Sequence, residues 1–258
     1  MDPLISLTKK VDDIEIYFEI YSSSVSADEF SKIFKDGRFC ERTDNVLVML
    51  HGNGEDGSIF KCNVTELCSD DFCILVDSRG HGKTTLGENE LTIDLMAEDV
   101  SKLCDELNIG KFKLLGFSDG GNIALTYAIR HPERLSHLVV SGANLNPTGL
   151  KFLPRFSILK SYIFAKAKRN KSEKDRLKYE LLSLMVNHPH ISPRLLKNIE
   201  CKALVIEGEK DLIKPSHTKL IAQMIKNSTH EVIPHASHNV FWENAEYTNK
   251  LIKNFIHS

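Results

Sequence analysis

The sequence predicts an α/β fold, with a mostly parallel central sheet, an antiparallel N-terminal edge and helices on both faces. Two observations carry this. Short apolar, β-branched runs recur at 46–50, 72–76, 112–117, 138–141, 203–206 and 231–233, and segments of helical periodicity separate them. That alternation implies parallel strands joined by helices, with ligands bound beyond the carboxyl ends of the strands. In addition, 258 residues with 41% hydrophobic side chains suffice for one sizeable core, so residues 1–258 are expected to form a single domain.

Residues 4–8 and 14–21 have strand character and flank a turn around Lys10 to Asp13, which accounts for the antiparallel edge. Ser22 to Asp44 is polar, partly helical and carries no motif. The βαβ rhythm then runs to Pro147 and breaks until Ile199. About fifty residues of helical, Lys-rich sequence stand there, and an insertion is the simplest reading. Its first part holds Leu150, Phe152, Leu153, Phe156, Tyr162 and Phe164. Lys166 to Lys178 is a charge run, expected to be a solvated helix face.

Composition excludes several functional classes. With 33 basic and 35 acidic side chains the net charge is −2, so no global field gathers nucleic acid or draws the protein to an anionic membrane. The six cysteines lack paired zinc-type spacing and several lie in apolar runs, which suits a reducing compartment. Met1 to Lys10 has no long apolar segment after a basic start, and nothing approaches the roughly 18 apolar residues of a membrane span. A soluble, cytoplasmic protein without membrane insertion is expected.

One stretch reads Gly-x-Ser-x-Gly: Gly116-Phe117-Ser118-Asp119-Gly120, after the apolar run Phe112 to Leu115 and before a helical segment. A nucleophile on a sharp strand-to-helix turn needs small neighbours, and the helix N-terminus favours developing negative charge. The plain alternative is a tight turn with a capping serine. An unactivated serine also needs a base, and the base an orienting group. His238 follows the strand-like Glu231 to Pro234 through a short loop and is the candidate base, with His235 as near rival. His188, His190, His230 and His257 suit surface or turn positions. Asp211 ends the turn after Ala203 to Ile206 and is the candidate acid, with Glu207 and Glu209 open, because sequence does not tell which carboxylate faces inward.

Taken together these landmarks resemble the α/β-hydrolase fold superfamily, in its serine-nucleophile branch. His51-Gly52-Asn53-Gly54 is similar to that family's oxyanion loop, and Asp77-Ser78-Arg79-Gly80-His81-Gly82 to its Asp-x-Arg-Gly-x-Gly turn. The elbow, Gly208-x-x-Asp211-x-x-x-Pro215 and His238 follow in the family's order of nucleophile, acid and histidine. The resemblance implies an oxyanion hole from the backbone N–H groups of Asn53 and Asp119, a small helical lid at residues 148–199, and structural roles for His51 and Arg79. It also implies hydrolysis of a small carboxylic ester or related carbonyl compound through an acyl-enzyme, with no metal or organic cofactor. Serine at position 118 argues against the branches with a carboxylate nucleophile, the epoxide hydrolases and haloalkane dehalogenases. The short lid and the polar Asn53 and Asp119 suggest a small or partly polar acyl substrate.

Two other readings compete. Gly52, Gly54 and Gly57 spell Gly-x-Gly-x-x-Gly after a strand, with Asp77 about twenty residues on, as a nicotinamide-dependent oxidoreductase has it. Against this, two strands come earlier, and Ser118, Asp211 and His238 stay unexplained. A non-catalytic ligand-binding protein on a hydrolase scaffold is the third class, since fold does not fix function.

Overall fold

In the computed structural model, which describes residues 1–258, the chain opens with a hairpin of Ile5–Val11 (β1) and Ile14–Tyr21 (β2). Pairing runs from Ile5 opposite Ile20 to Val11 opposite Ile14. The first strand thus runs past its expected end at residue 8, and the turn, expected over Lys10 to Asp13, shrinks to Asp12-Asp13, with Asp12 at φ +50°. Alternate side chains of β2 are buried, the pattern of an antiparallel edge with one face on the core.

Next come the helix Ala27–Ile33 (α1) and a two-residue hairpin, Phe34–Lys35 (β3) with Arg38–Phe39 (β4). A capping box between Ser26 and Glu29 starts the helix. The hairpin was not anticipated, although Asp36-Gly37, both at positive φ, spells its turn. Phe30, Phe34, Phe39 and Phe72 form one ring cluster, so this segment covers the lower end of the sheet.

The βαβ part comprises Val46–Leu50 (β5), Val64–Leu67 (α2), Phe72–Val76 (β6), Ile93–Glu106 (α3), Phe112–Phe117 (β7), Asp119–Arg130 (α4) and Leu135–Ser141 (β8). Phe152–Lys168 (α5) and Glu173–Asn187 (α6) fill the connection to Lys202–Gly208 (β9). Pro215–Met224 (α7), Ser228–Ile233 (β10), Val240–Glu243 (α8) and Ala245–Ile256 (α9) complete the chain. One eight-stranded sheet has the order β1-β2-β6-β5-β7-β8-β9-β10, parallel from β6 to β10 and antiparallel at β1 and β2. The expected fold class is the observed one.

Residues of β5 and β6 are buried at every position, as strands covered on both faces must be. Val46, Val48 and Leu50 enter the core on one face and Leu47 and Met49 the core on the other. β10 starts three residues before the expected 231, because an edge strand alternates polar Ser228 and His230 with its partners and hides its period. The charge run Lys166 to Lys178 is exposed but is not one helix face: a turn at 169–172 divides it, and the Ser172 side chain caps α6 by accepting from the Asp175 N–H.

β5 has β6 on one side and β7 on the other, so the chain winds in opposite directions from it. A crevice opens at the carboxyl ends of strands on either side of such a reversal. The loop after β5 and the turn after β7 are therefore neighbours. The turn after β6 is anchored by Arg79, whose wholly buried guanidinium forms ion pairs with Asp99 (2.7 Å) and Asp13 (2.9 Å). Removing one member of such a buried cluster costs about 3–5 kcal/mol, because the other charges are left uncompensated. No helix is long and apolar enough to cross a membrane.

Candidate active site

Ser118 stands between β7 and α4 at φ +54° and ψ −118°, a backbone conformation that L side chains rarely adopt. Its strain is held by the surroundings: the Ser118 N–H donates to the Ser141 carbonyl at 2.8 Å. Gly116 and Gly120 make the turn possible. A Cβ at Gly116 would lie 2.2 Å from the Gly120 carbonyl oxygen, and one at Gly120 2.2 Å from that of Leu50. The small residues of the motif are thus a steric condition for bringing α4 against β5 and β7.

His238, in the loop after β10, places Nε2 3.0 Å from Ser118 Oγ and Nδ1 2.7 Å from Asp211 Oδ1. Asp211 is 2% exposed and its carboxylate is held by two further donors, the Ile213 N–H at 2.9 Å and the Gly208 N–H at 3.3 Å. With Nδ1–H donating to Asp211, the Nε2 lone pair faces the serine hydroxyl. The rival residues go elsewhere. Glu207 pairs with His230 at 3.0 Å, and Glu209 accepts from the backbone N–H of His235, which is exposed and at φ +58°. His257 lies 3.6 Å from Asp70.

The backbone amides of Asn53 and Asp119 donate to no group of the protein, and Asp119 opens α4. Two free N–H groups beside Ser118, one at a helix N-terminus, are suited to a developing oxyanion. Their side chains are also tied. Asn53 Nδ2 donates to Asp119 Oδ2 (3.0 Å) and to the Leu181 carbonyl of α6 (3.0 Å), while Asn122 Nδ2 donates to Asp119 Oδ1 (3.0 Å). Burial raises the pKa of the Asp119 carboxyl, while the Asn53 and Asn122 amides that donate to it act in the opposite direction.

His51 lies under the loop after β5. Its Nδ1–H donates to the Gly52 carbonyl at 2.8 Å and its Nε2 accepts from the Ser78 N–H at 3.0 Å, so the buried ring is neutral and joins the two turns. Burial depresses its pKa to about 3. Two participants carried no sequence signal of their own. Glu55 Oε2 accepts from the Gly52 N–H (3.0 Å) and steadies the loop, with burial raising its pKa. Gly142, after β8 and at φ +63°, lies against the imidazole: a Cβ there would be 2.7 Å from His238 Cε1. A glycine directly after a core strand was the one available hint.

The Gly52 to Gly57 loop does not build a dinucleotide site. It leads into a short 3₁₀ turn, Gly57–Phe60, where a phosphate-binding helix would have to begin. Asp77, the would-be ribose ligand, accepts from the Gly57 and Lys83 amides instead.

A groove of about 400 Å³ adjoins the site, lined by Asn53 from the loop, Ser161 from α5 and Leu177, Leu181 and Met185 from α6. A separate cleft of about 310 Å³ around Glu19, Asp56, Asp77 and Lys83 contains no residue of the hydrogen-bonded chain at Ser118.

Comparison with known proteins agrees with this architecture. A family profile described as alpha/beta hydrolase fold matches residues 45–158. A 2-hydroxy-6-oxononadienedioate/2-hydroxy-6-oxononatrienedioate hydrolase of Escherichia coli K12 is 28% identical over 256 aligned positions, covering 84% of this chain and 88% of the relative. Among solved structures, the enol-lactonase of Burkholderia xenovorans LB400 superposes with a TM-score of 0.77 at 20% identity, covering 98% of this chain and 100% of the other. A thermophilic esterase from Thermogutta terrifontis superposes with a TM-score of 0.72 at 22% identity, covering 98% and 97%. With a sheet of this order, an elbow turn after β7 and a profile match across that turn, the chain has the α/β-hydrolase fold.

Proposed function

We propose that the protein is a serine hydrolase that cleaves a small carboxylic ester or related carbonyl compound through an acyl-enzyme intermediate. The observation that carries this is the continuous hydrogen-bonded chain from Asp211 through His238 to Ser118, with the serine on a strained turn beside two free amides. A packed structural serine needs none of these features.

In this reading His238 Nε2 takes the Ser118 proton as Oγ attacks the substrate carbonyl, and Asp211 holds the imidazole in the productive tautomer. The N–H groups of Asn53 and Asp119 take the tetrahedral oxyanion, and His238 then returns its proton to the leaving oxygen. Water, activated by the same nitrogen, attacks the acyl-enzyme and frees Ser118. Neither a metal nor an organic cofactor has a step in this sequence. Residues 148–199 act as a lid, with α6 tied to the oxyanion loop through Asn53 and Leu181. The relatives named above include an esterase, an enol-lactonase and a hydrolase of a dienedioate, all acting on carbonyl compounds. The groove beside Asn53 mixes Leu and Met side chains with Lys174 and Lys178, which suits an acyl group with a polar end.

The test combines fluorophosphonate labelling with a panel of chromogenic esters of increasing acyl length. Wild type should be labelled on Ser118 and turn over esters with one preferred length, while Ser118→Ala should fold, resist labelling and lose turnover. A Ser118→Ala protein as active as wild type refutes the assignment. Labelling of Ser118 without turnover of any ester points instead to a ligand-binding protein on this scaffold.

A further inference from the structure

We propose that the outer face of α5 docks the protein on an anionic lipid surface. α5 packs on α6, where Tyr162 stacks on Tyr179 with ring centroids 5.7 Å apart, and its opposite face meets only solvent. On that face Phe152, Leu153, Phe156, Ile163 and Phe164 are each at least 60% exposed, and Leu159 is 43% exposed. Phe152, Phe156, Leu159 and Ile163 recur at spacings of three and four and so form one continuous stripe. Phe152 and Phe156 stack on each other in the open, 6.2 Å apart. Soluble surfaces rarely carry so many contiguous apolar side chains without a partner.

Charge selects the partner. Residues 151–178 hold ten basic and two acidic side chains, whereas the other 230 residues hold 23 and 33. The near-neutral total thus conceals a strongly basic pole on an otherwise acidic molecule. The basic residues are arranged around the stripe: Arg155 and Lys166 project along one flank, Lys168 along the other, and Lys160 lies within it. Long cationic side chains beside aromatic rings are the arrangement of a helix lying in the plane of a membrane surface, with rings among the acyl chains and amines at the anionic headgroups. A second copy fits less well. It would bring two basic poles together, and a stripe about 25 Å long and about 10 Å wide offers far less than the roughly 800 Å² per partner of a stable interface. The docking is peripheral, since α5 has 17 residues interspersed with charges and no helix crosses a membrane. The stripe residues lie apart from the catalytic chain and from the groove beside Asn53, which α5 enters only through Ser161 on another face.

Co-flotation with vesicles tests the proposal, using phosphatidylcholine alone and phosphatidylcholine mixed with phosphatidylserine. The full-length protein should float with the mixed vesicles, much less with the neutral ones, and less again as salt is raised. Phe152→Ser/Phe156→Ser should lower the apparent affinity about tenfold or more, since each ring loses its burial among acyl chains. Lys160→Glu/Lys168→Glu should abolish the preference for phosphatidylserine. All four positions are exposed and none lines the groove beside Asn53, so the melting temperature should match wild type in both variants, and loss of vesicle binding with an unchanged melting temperature separates docking from unfolding. Absence of binding to mixed vesicles overturns the proposal, as does binding that the phenylalanine changes leave intact. A dimer in sedimentation equilibrium that Phe152→Ser/Phe156→Ser splits, in a protein that ignores vesicles, would assign the face to a second copy instead.

Discussion

Asn53 and Asp119, 66 positions apart in sequence, are joined by a side-chain hydrogen bond of 3.0 Å while the backbone amides of both remain free beside Ser118. The same Asn53 amide group reaches the Leu181 carbonyl, so the loop after β5, the elbow and the insertion share one fastening point.

Asn53→Ala should therefore act on catalysis more than on stability. It keeps the backbone N–H but frees the loop and leaves Asp119 Oδ2 without its donor. Misplacement by about 1 Å costs up to about a hundredfold in rate, so kcat should fall roughly ten- to hundredfold with a smaller change in KM. Steady-state kinetics on the preferred ester measure this. An unchanged kcat would mean that the loop needs no such tie.

Asp211→Asn keeps the size of the side chain and removes its charge. His238 then loses the group that keeps the proton on Nδ1, and kcat should drop on the order of 10⁴-fold with the fold intact by near-UV circular dichroism. Activity close to wild type would move the acid role to Glu207 or Glu209.

Gly142→Ala puts a methyl group where His238 Cε1 stands and asks an L-residue to hold φ +63°. The backbone part costs about 1–2 kcal/mol. Displacement of the imidazole should cost at least about tenfold in kcat as well, because the Ser118 contact depends on its position. Urea unfolding and kinetics on one preparation separate the two effects. Loss of stability with full kcat would show that the ring has room to move.

His51 makes stability depend on pH in one direction. In the unfolded chain its imidazole takes a proton below about pH 6.5, but in the folded state burial delays this to about 3. Between those values the unfolded state binds more protons, so stability falls as pH is lowered, by at most about 1.4 kcal/mol per pH unit from this group. Urea unfolding from neutral to mildly acid pH should show a shallower decline in His51→Gln than in wild type. Identical slopes would mean that His51 already takes up its proton in the folded state over that range.

How much could be read without coordinates differs from one element to the next. The strands at 46–50 and 72–76 were legible because burial on both faces forces unbroken apolar runs. β10 was truncated because one of its edges meets water and its polar residues blur the period. The Phe34–Phe39 hairpin has a turn signal in Asp36-Gly37, but strands of two residues are too short to show a period. The Lys-rich character of the insertion was legible, but that its apolar residues form an exposed stripe on α5 flanked by basic side chains was not, because exposure depends on where α5 packs.

The sequence by itself determined the alternation of strands and helices and the steric signature of the elbow, since apolar periodicity and the need for Gly116 and Gly120 are local properties of the chain. Only the tertiary structure decided which carboxylate faces His238, which histidine faces Ser118 and which glycine gives the imidazole its space. Glu207, Glu209 and Asp211 lie within five residues and are chemically close, yet they turn toward His230, the His235 amide and His238 respectively. That choice is set by the parallel register of β9 against β10 and the path of the loop that follows, contacts between segments distant in sequence that no local pattern encodes.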